Sequence, residues 1–254
     1  MRLNDAPSDD TVFPVKISII VPAFNEERLL GESLAQISAA MVSFQKPGWT
    51  TELIVCDNNS TDATAQIARA AGAKVVFEPI NQIARARNTG ASSATGDWLI
   101  FVDADSHPSA DLFADVAKEI QAGDCIAGGA TIRMDEYHFA ANWIVKLWNL
   151  TSRRLRLLAG SFIFCEAATF RKVGGFSNDL FAAEELELSV RLKKTAKESG
   201  KKLVVLHRHP LVTSARKMKL YTIREHLRFV FAAVFNRRTF ASREAAHLWY
   251  DGRR

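Results

Sequence analysis

Cysteine is scarce in this sequence and long apolar runs are missing, and each shortage excludes a class of protein. The three cysteines among 254 residues form no Cys-x-x-Cys pair and stand in apolar stretches. They predict small core residues in a reducing compartment, not a disulfide framework or a zinc site. No apolar run approaches the ~20 residues of a membrane-spanning helix, and the polar start of the chain does not resemble a secretory signal. We therefore expect a cytoplasmic protein, with attachment to a membrane surface left open.

Acidic residues are too few to balance the basic ones, and the excess of positive charge is unevenly distributed along the chain. The formal charge is +5, and basic residues are dense from Arg208 onward, where we predict a basic helical tail over residues 221–254. Such a tail suits phosphate groups, an anionic membrane surface or nucleic acid, and solvated helix faces explain it equally well. No RNP-like or helix-turn-helix pattern accompanies the tail, so a nucleic acid partner is not expected.

Short, continuous apolar segments alternate with helical patterns through the first half of the chain. This alternation predicts an α/β fold with a mostly parallel central sheet and helices on both faces. Residues 1–14 are polar and are expected to be flexible. The predicted strands are 17–21, 52–56, 74–77 and 98–102, followed by 124–133, 162–165 and 203–206. The predicted helices include 82–94, 109–121 and 137–158.

Polar clusters follow three of these strands at their carboxyl ends, where open α/β sheets bind ligands. Asp103 and Asp105 follow the fourth strand, and two carboxylates at this spacing suit one Mn²⁺ or Mg²⁺ carrying a diphosphate. Asp57 suits a hydrogen bond from a base, and Glu26 suits a ribose hydroxyl. The alternatives are ordinary: solvated turn aspartates, an Asx turn at Asp57, and a helix N-terminal acid at Glu26.

The clusters together form an ordered series that resembles the family 2 glycosyltransferases, which have the GT-A nucleotide-binding α/β sandwich. The resemblance covers about residues 15–220 and is far more specific than any single motif. It implies a nucleotide-binding half at 15–107 and an acceptor and catalytic half at 108–220. The motifs are VPAFNEE (21–27), CDNNSTDAT (56–64), ARNTGA (86–91), VDADS (102–106), GGF (174–176) and AEELELSVRL (183–192).

By this resemblance the donor would be a nucleotide diphosphate sugar, with a UDP-sugar expected. The metal, Mn²⁺ or Mg²⁺, would be held by Asp103 and Asp105, with His207 as a further ligand. Gly160 and Ser161 would border the donor sugar and the acceptor. The nucleoside and donor pocket would be formed by Pro22, Phe24, Glu26, Asp57, Arg87, Asn88, Ala104 and Arg216.

The resemblance also implies an inverting transfer to a hydroxyl acceptor, a lipid or a glycan. Glu184 and Glu185 fall on the family's acidic pair, which is usually Glu-Asp, and the second member is the catalytic base. Glu185 thus departs from the usual residue by one methylene. The alternative for both glutamates is that they are first-turn helix acids stabilised by the helix dipole. The aromatic and basic segment 143–158 is predicted to be an amphipathic helix, either packed on the core or lying on a membrane.

Two other functions remain open at this point. DADS after an apolar strand also resembles the nucleophile motif of haloacid-dehalogenase-like phosphatases, in which Asp103 would be phosphorylated. That motif usually ends the first strand of its domain, whereas this one ends the fourth. A nucleotide-sugar-binding protein without turnover is the second alternative, and the substitution at Glu185 is the feature in its favour.

Overall fold

A computed structural model describes residues 14–136, 139–158 and 160–214. The predicted N-terminal and C-terminal segments and Arg216 lie outside these residues. The strands are β1 (Lys16–Ala23), β2 (Thr50–Asp57), β3 (Lys74–Phe77), β4 (Trp98–Val102), β5 (Ser106–His107), β6 (Cys125–Met134), β7 (Phe162–Glu166) and β8 (Lys202–Thr213). The helices are α1 (Leu30–Gln45), α2 (Thr64–Ala70), α3 (Ile83–Ser92), α4 (Ala110–Ala122), α5 (Phe139–Leu155), α6 (Ala167–Lys172) and α7 (Glu184–Glu198).

The described strands form one sheet in the order β3-β2-β1-β4-β7-β6-β8-β5. The strands β3, β2, β1 and β4 are parallel, whereas β7 runs antiparallel to both β4 and β6. Strand order reverses between β1 and β4, so the crevice that such sheets offer to ligands opens beyond the carboxyl ends of these two strands. The predicted α/β class is confirmed.

Both faces of the sheet are buried, which explains the continuous apolar strands. Along β4, Trp98, Ile100 and Val102 join the hydrophobic core that includes α1 and α4. Leu99 and Phe101 point to the opposite core, which includes α3 and α7. Successive side chains of a strand point to opposite faces, so a strand covered on both sides needs an apolar residue at every position.

The last strand departs most from the prediction, because β8 is twelve residues long. Its pairing with β6 is interrupted: Leu206 pairs with Ala130 and Leu211 with Ile132. Residues 207–210 therefore bulge out of the ladder before β8 resumes and pairs with the short β5. Neither β5 nor α6 was predicted, because two-residue strands and single-turn helices carry too few positions to show a period.

Candidate active site

The loops after β1 and β2 are joined by hydrogen bonds that pass between them. The Asn25 amide donates to Ser60 Oγ at 3.0 Å, and the Thr61 amide donates to Asn25 Oδ1 at 2.8 Å. Glu26, which is buried, donates its amide to Thr64 Oγ1 at 2.8 Å. The structure thus brings together two of the polar clusters that the sequence placed at the carboxyl end of the sheet.

Asp57 ends β2 inside this paired loop region and is buried. Its Oδ1 accepts a hydrogen bond at 3.0 Å from the Ser60 amide, which is three residues further on and not two as in the Asx turn given as the alternative. This bond holds the carboxylate in place and does not use its whole hydrogen-bonding capacity. Pro22 is buried within β1, and Phe24 lies partly exposed just beyond the strand.

Arg87 joins three segments that lie far apart in sequence. Its guanidinium pairs with Asp103 Oδ1 at 2.9 Å and with Glu184 Oε1 at 2.5 Å, and it donates to the Gly160 carbonyl at 2.9 Å. It also lies over the ring of Phe176, with 5.2 Å from Cζ to the ring centroid. Arg87 therefore links the aspartate turn after β4, the loop before β7 and the start of α7.

Arg87 is 2% exposed, and a glycine on the same helix allows this depth. A Cβ atom on Gly90 would lie 2.5 Å from Ile20 Cγ2, so only glycine lets α3 approach β1 this closely. Burial by itself disfavours the guanidinium charge, but the neighbouring carboxylates of Asp103 and Glu184 outweigh it and raise the pKa of Arg87. The ion pair thus remains charged inside the protein.

Glu184 and Glu185 begin α7, directly after Ala183, whose φ of 60° is left-handed. Glu184 is buried against Arg87, whereas Glu185 is partly exposed. A Cβ atom on Gly160 would lie 3.3 Å from both Arg87 Nη2 and Glu185 Oε1, so Gly160 leaves room for the two charged groups. Burial, and then the charge of Glu184, raises the pKa of Glu185 to about 8 against the opposing charge of Arg87. A carboxyl group with so strongly raised a pKa is a candidate for proton transfer.

The aspartate turn is fixed at both of its ends. The Ser106 amide donates to the Asp103 carbonyl at 3.0 Å, and the Ser214 amide donates to the Asp105 carbonyl at 3.1 Å. Ala104 and Asp105 are buried, and the Asp103 side chain is 19% exposed. Arg87 engages Oδ1 of Asp103, so Oδ2 is the oxygen left for another partner.

Two carboxylates are a suitable protein contribution to a Mg²⁺ or Mn²⁺ site. Such ions keep several waters and take further oxygens from substrate phosphates, so a full cage of protein ligands is not needed. Within the described ranges, no group of three His, Cys, Asp or Glu side chains is arranged to hold a metal. The aspartate turn fits a metal that is bound together with a diphosphate.

The strand pairing places the backbone beside His207 at some distance from the aspartate turn, and the role of His207 as a metal ligand stays a prediction. Leu206, its neighbour in the chain, pairs with Ala130, whereas the aspartate turn meets β8 at Thr213, which pairs with Met134. Ala130 and Met134 are four positions apart along β6, which corresponds to roughly 13 Å of strand. His207 lines a groove beside α4. The sequence pattern ended the strand at residue 206 and so missed the bulge that carries His207 outward.

Asn88 also has a structural task that the motif did not reveal. Its side chain donates to the Phe176 carbonyl at 2.8 Å and accepts from the Phe176 amide at 2.9 Å. Gln82, at the start of α3, donates to the carbonyls of Asn178 and Leu180 at 2.8 and 2.9 Å. These bonds hold the loop that leads into α7. Sequence reasoning missed Gln82 because a lone glutamine before a helix carries no signal of its own.

Comparison of the chain with known proteins identifies its family. The model of glycosyl transferase family 2 matches residues 18–173, more than half of the chain. An uncharacterized glycosyltransferase of Mycobacterium tuberculosis is 29% identical over 143 residues, which cover 54% of this chain and 60% of that protein. The chain thus spans about 60% of the length of this relative.

Two solved structures share the fold. A mannosyltransferase from Pyrobaculum calidifontis in complex with GDP-Man and Mn²⁺ has a TM-score of 0.68 and 19% identity, and the match covers 92% of this chain and 65% of that one. Glucosyl-3-phosphoglycerate synthase from Mycobacterium tuberculosis, in complex with Mn²⁺, UDP-glucose and phosphoglyceric acid, has a TM-score of 0.61 and 20% identity, and the match covers 88% and 79%. The chain is therefore a member of glycosyl transferase family 2 and has the GT-A fold.

Proposed function

We propose that this protein is an inverting glycosyltransferase that moves a sugar from a UDP-linked donor to a hydroxyl acceptor. The observation that carries the proposal is the network around Arg87. One buried cation joins Asp103, on the proposed leaving-group side, to Glu184, and the Glu185 carboxylate lies near the same guanidinium, next to Gly160. Single displacement needs a base opposite a stabilised leaving group, and the proximity of Glu185 and Asp103 to one buried cation supports assigning these two roles to them.

The donor would occupy the crevice beyond β1 and β4. Asp57 would accept a hydrogen bond from the base, with Pro22, Phe24 and Glu26 around the nucleoside. The two solved relatives contain GDP-Man and UDP-glucose. Asp57 is a fixed hydrogen-bond acceptor and so supports a base that presents an N–H. Guanine and uracil both present one, so Asp57 does not distinguish between them. We choose UDP on the resemblance of the motif series.

Asp103 and Asp105 would hold Mn²⁺ or Mg²⁺, which supplies positive charge to a departing diphosphate. Arg87 orients Asp103 for this task through its contact at Oδ1. Arg216, which lies outside the described residues, is proposed to meet the diphosphate as well. The role of His207 as a further metal ligand stays a prediction.

Glu185 would take the proton of the acceptor hydroxyl as its oxygen attacks the anomeric carbon. The new carbon–oxygen bond forms while the bond from that carbon to the diphosphate oxygen breaks, so the configuration inverts and the nucleoside diphosphate leaves with the electron pair. Glu184 is proposed as a positioning residue, because it is buried and paired with Arg87, whereas Glu185 is partly exposed. Three buried, unpaired cysteines fit a reducing compartment, which supports a cytoplasmic location.

A nucleotide-sugar-binding protein without turnover is the second candidate, favoured by the glutamate at position 185. The phosphatase alternative is weaker, because Asp103 is already paired with Arg87 and the joined loops after β1 and β2 would have no role.

The test is turnover of a panel of UDP-sugars with Mn²⁺, in which a total lipid extract and a soluble glycan pool serve as acceptors. We expect one donor to release UDP and to give a product of the opposite anomeric configuration by NMR. The Asp103→Asn/Asp105→Asn variant should lose this release, whereas Asp111→Asn, an exposed acid on α4, should retain it. A product of retained configuration would exclude the proposed mechanism, and UDP-sugar binding without release by any acceptor would favour the non-catalytic candidate.

A further inference from the structure

Helix α5 exposes an apolar stripe to solvent. Trp143, Leu147 and Leu150 are 62%, 67% and 49% exposed, and their spacing of four and three residues places them on one face of the helix. The opposite face carries Val145 and Ser152, which are buried. The inner face thus already packs on the protein, so the outer stripe is additional apolar surface.

The charged residues of the helix that carries the stripe are basic. From residue 139 to residue 156 the sequence contains no aspartate or glutamate. The cations are Lys146, Arg153, Arg154 and Arg156, and the last three are exposed at the end of the helix. Lys146 Nζ lies 5.5 Å from the centre of a Trp143 ring. Exposed tryptophan and leucine with flanking Lys and Arg are typical of a helix that lies in the interface of an anionic bilayer.

A basic groove continues from the end of α5. Its volume is about 470 Å³, and it is lined by Arg153 and Arg156 together with residues of α4 and β8. Five Lys or Arg side chains line it against the two acids Asp115 and Glu119. Asp115 is itself engaged by His209 and Lys118. Lys202 is likewise paired with Asp124 at 2.8 Å, so the excess of positive charge in the groove comes from Arg153, Arg156 and Arg208.

The helix that carries the stripe ends only a few residues before the loop that contacts Arg87. Leu155 ends α5, and Gly160, which contacts Arg87 and Glu185, follows five residues later. Trp148 and Leu157 pack against Ala183 and Leu186 at the start of α7. A surface bound by α5 would thus lie beside the loop that borders the proposed acceptor position.

We propose that α5 docks this protein on an anionic membrane surface, with Trp143, Leu147 and Leu150 inserted among the lipids and the neighbouring arginines on the headgroups. The docking proposal depends only on the apolar stripe and the basic residues near it. The consequence for chemistry, that the acceptor hydroxyl is presented by a lipid, rests on the proposed function as well. The combination of exposed Trp and Leu with cations as the charged residues of segment 139–156 fits an anionic bilayer, whose acyl chains take the apolar side chains and whose headgroups take the cations.

The experiment measures co-sedimentation of the full chain with vesicles of phosphatidylcholine alone and with about 30% phosphatidylglycerol, at low and high salt. We expect binding to the anionic vesicles only, weakened several-fold by salt. The triple variant Trp143→Ser/Leu147→Ser/Leu150→Ser should bind at least about tenfold more weakly, since insertion of the apolar side chains is lost. These residues are exposed, so the variant is expected to fold.

A matched control comes from the far edge of the sheet. Phe77 and Ile80 are 57% and 50% exposed, and Phe77→Ser/Ile80→Ser should bind as the wild type does. Equal binding by the α5 variant and the wild type overturns the proposal and assigns any vesicle binding to another part of the chain. A concentration-dependent dimer that the α5 variant loses, without vesicle binding, also overturns it and identifies a second copy as the occupant. UDP binding measured on the same samples is independent: its loss would refute the proposed function while leaving docking intact.

Discussion

Replacing Glu185 with glutamine is expected to lower kcat by about 10²–10⁴-fold, because general-base help of that size is removed. Glutamine keeps the shape of the side chain beside Gly160 but does not accept a proton. In the proposed arrangement Glu185 does not contact the nucleotide, so UDP binding with Mn²⁺ should change by less than about threefold. The measurement is single-turnover transfer together with calorimetric UDP binding. Glu198→Gln, an exposed acid at the end of the same helix, is the matched control.

The pH profile provides a second readout for Glu185. Its folded pKa is about 8, well above the ordinary 4.5, so in the free protein the base is ionised only toward alkaline pH. We expect kcat/KM to rise with pH up to about 8 and the rise to disappear from the residual activity of the glutamine variant.

The same raised pKa makes the free energy of unfolding depend on pH in a defined direction. Between about pH 4.5 and 8 the folded protein holds a proton on Glu185 that the unfolded chain has released. The contribution of Glu185 is therefore complete below pH 4.5 and is lost as the pH rises through 8. Glu185→Gln should flatten this part of the urea-unfolding profile. An unchanged profile, or an unchanged kcat, would contradict the assignment of Glu185.

Removing the charge of Arg87 is expected to destabilise the protein by about 3–5 kcal/mol, because breaking a buried ion pair leaves a carboxylate without its partner. Arg87→Met would leave Glu184, which is 2% exposed, facing an apolar side chain. Arg87→Lys should also lose activity, since one ammonium group does not reproduce the planar fork that reaches Asp103, Glu184 and Gly160 together. Urea unfolding and UDP binding measure the two effects.

A double variant distinguishes this account from simple loss of packing. Arg87→Met/Glu184→Gln removes the stranded carboxylate and should regain a part of the stability lost by Arg87→Met. Arg85→Met, on the same helix, is the control, because Arg85 is partly exposed and donates to Gln82 at 3.0 Å. If the double variant were less stable than Arg87→Met, the buried charge of Glu184 would not be the source of the loss.

The parts of the fold that were predicted correctly are those in which a local pattern decides the structure. Strand β4 is apolar at every position because both of its faces are buried, and this pattern is visible in five residues. Helix α4 is marked by Ser109, whose Oγ accepts from the Leu112 amide, and by the left-handed Gly123. The position of the polar loops followed from parallel strands alone.

The parts that were missed depend on contacts between distant segments. No local pattern indicates that Arg87 pairs with both Asp103 and Glu184, which are 16 and 97 residues away. The motif series grouped these residues by resemblance, but the structure adds how they meet and which of them is buried. The strand that carries His207 was predicted too short for a related reason, because the bulge in β8 arises from pairing with β6 and leaves no mark in the sequence.

The central claim is that the aspartate turn binds a nucleoside diphosphate through a divalent metal, and calorimetry tests it most directly. The protein is titrated with UDP, GDP and ADP, each with and without Mn²⁺, alongside Asp103→Ala/Asp105→Ala. We predict metal-dependent binding of UDP that the double variant loses, with GDP and ADP weaker by at least about tenfold. Binding of no nucleotide under any metal condition, or UDP binding that survives the double substitution unchanged, would contradict the account.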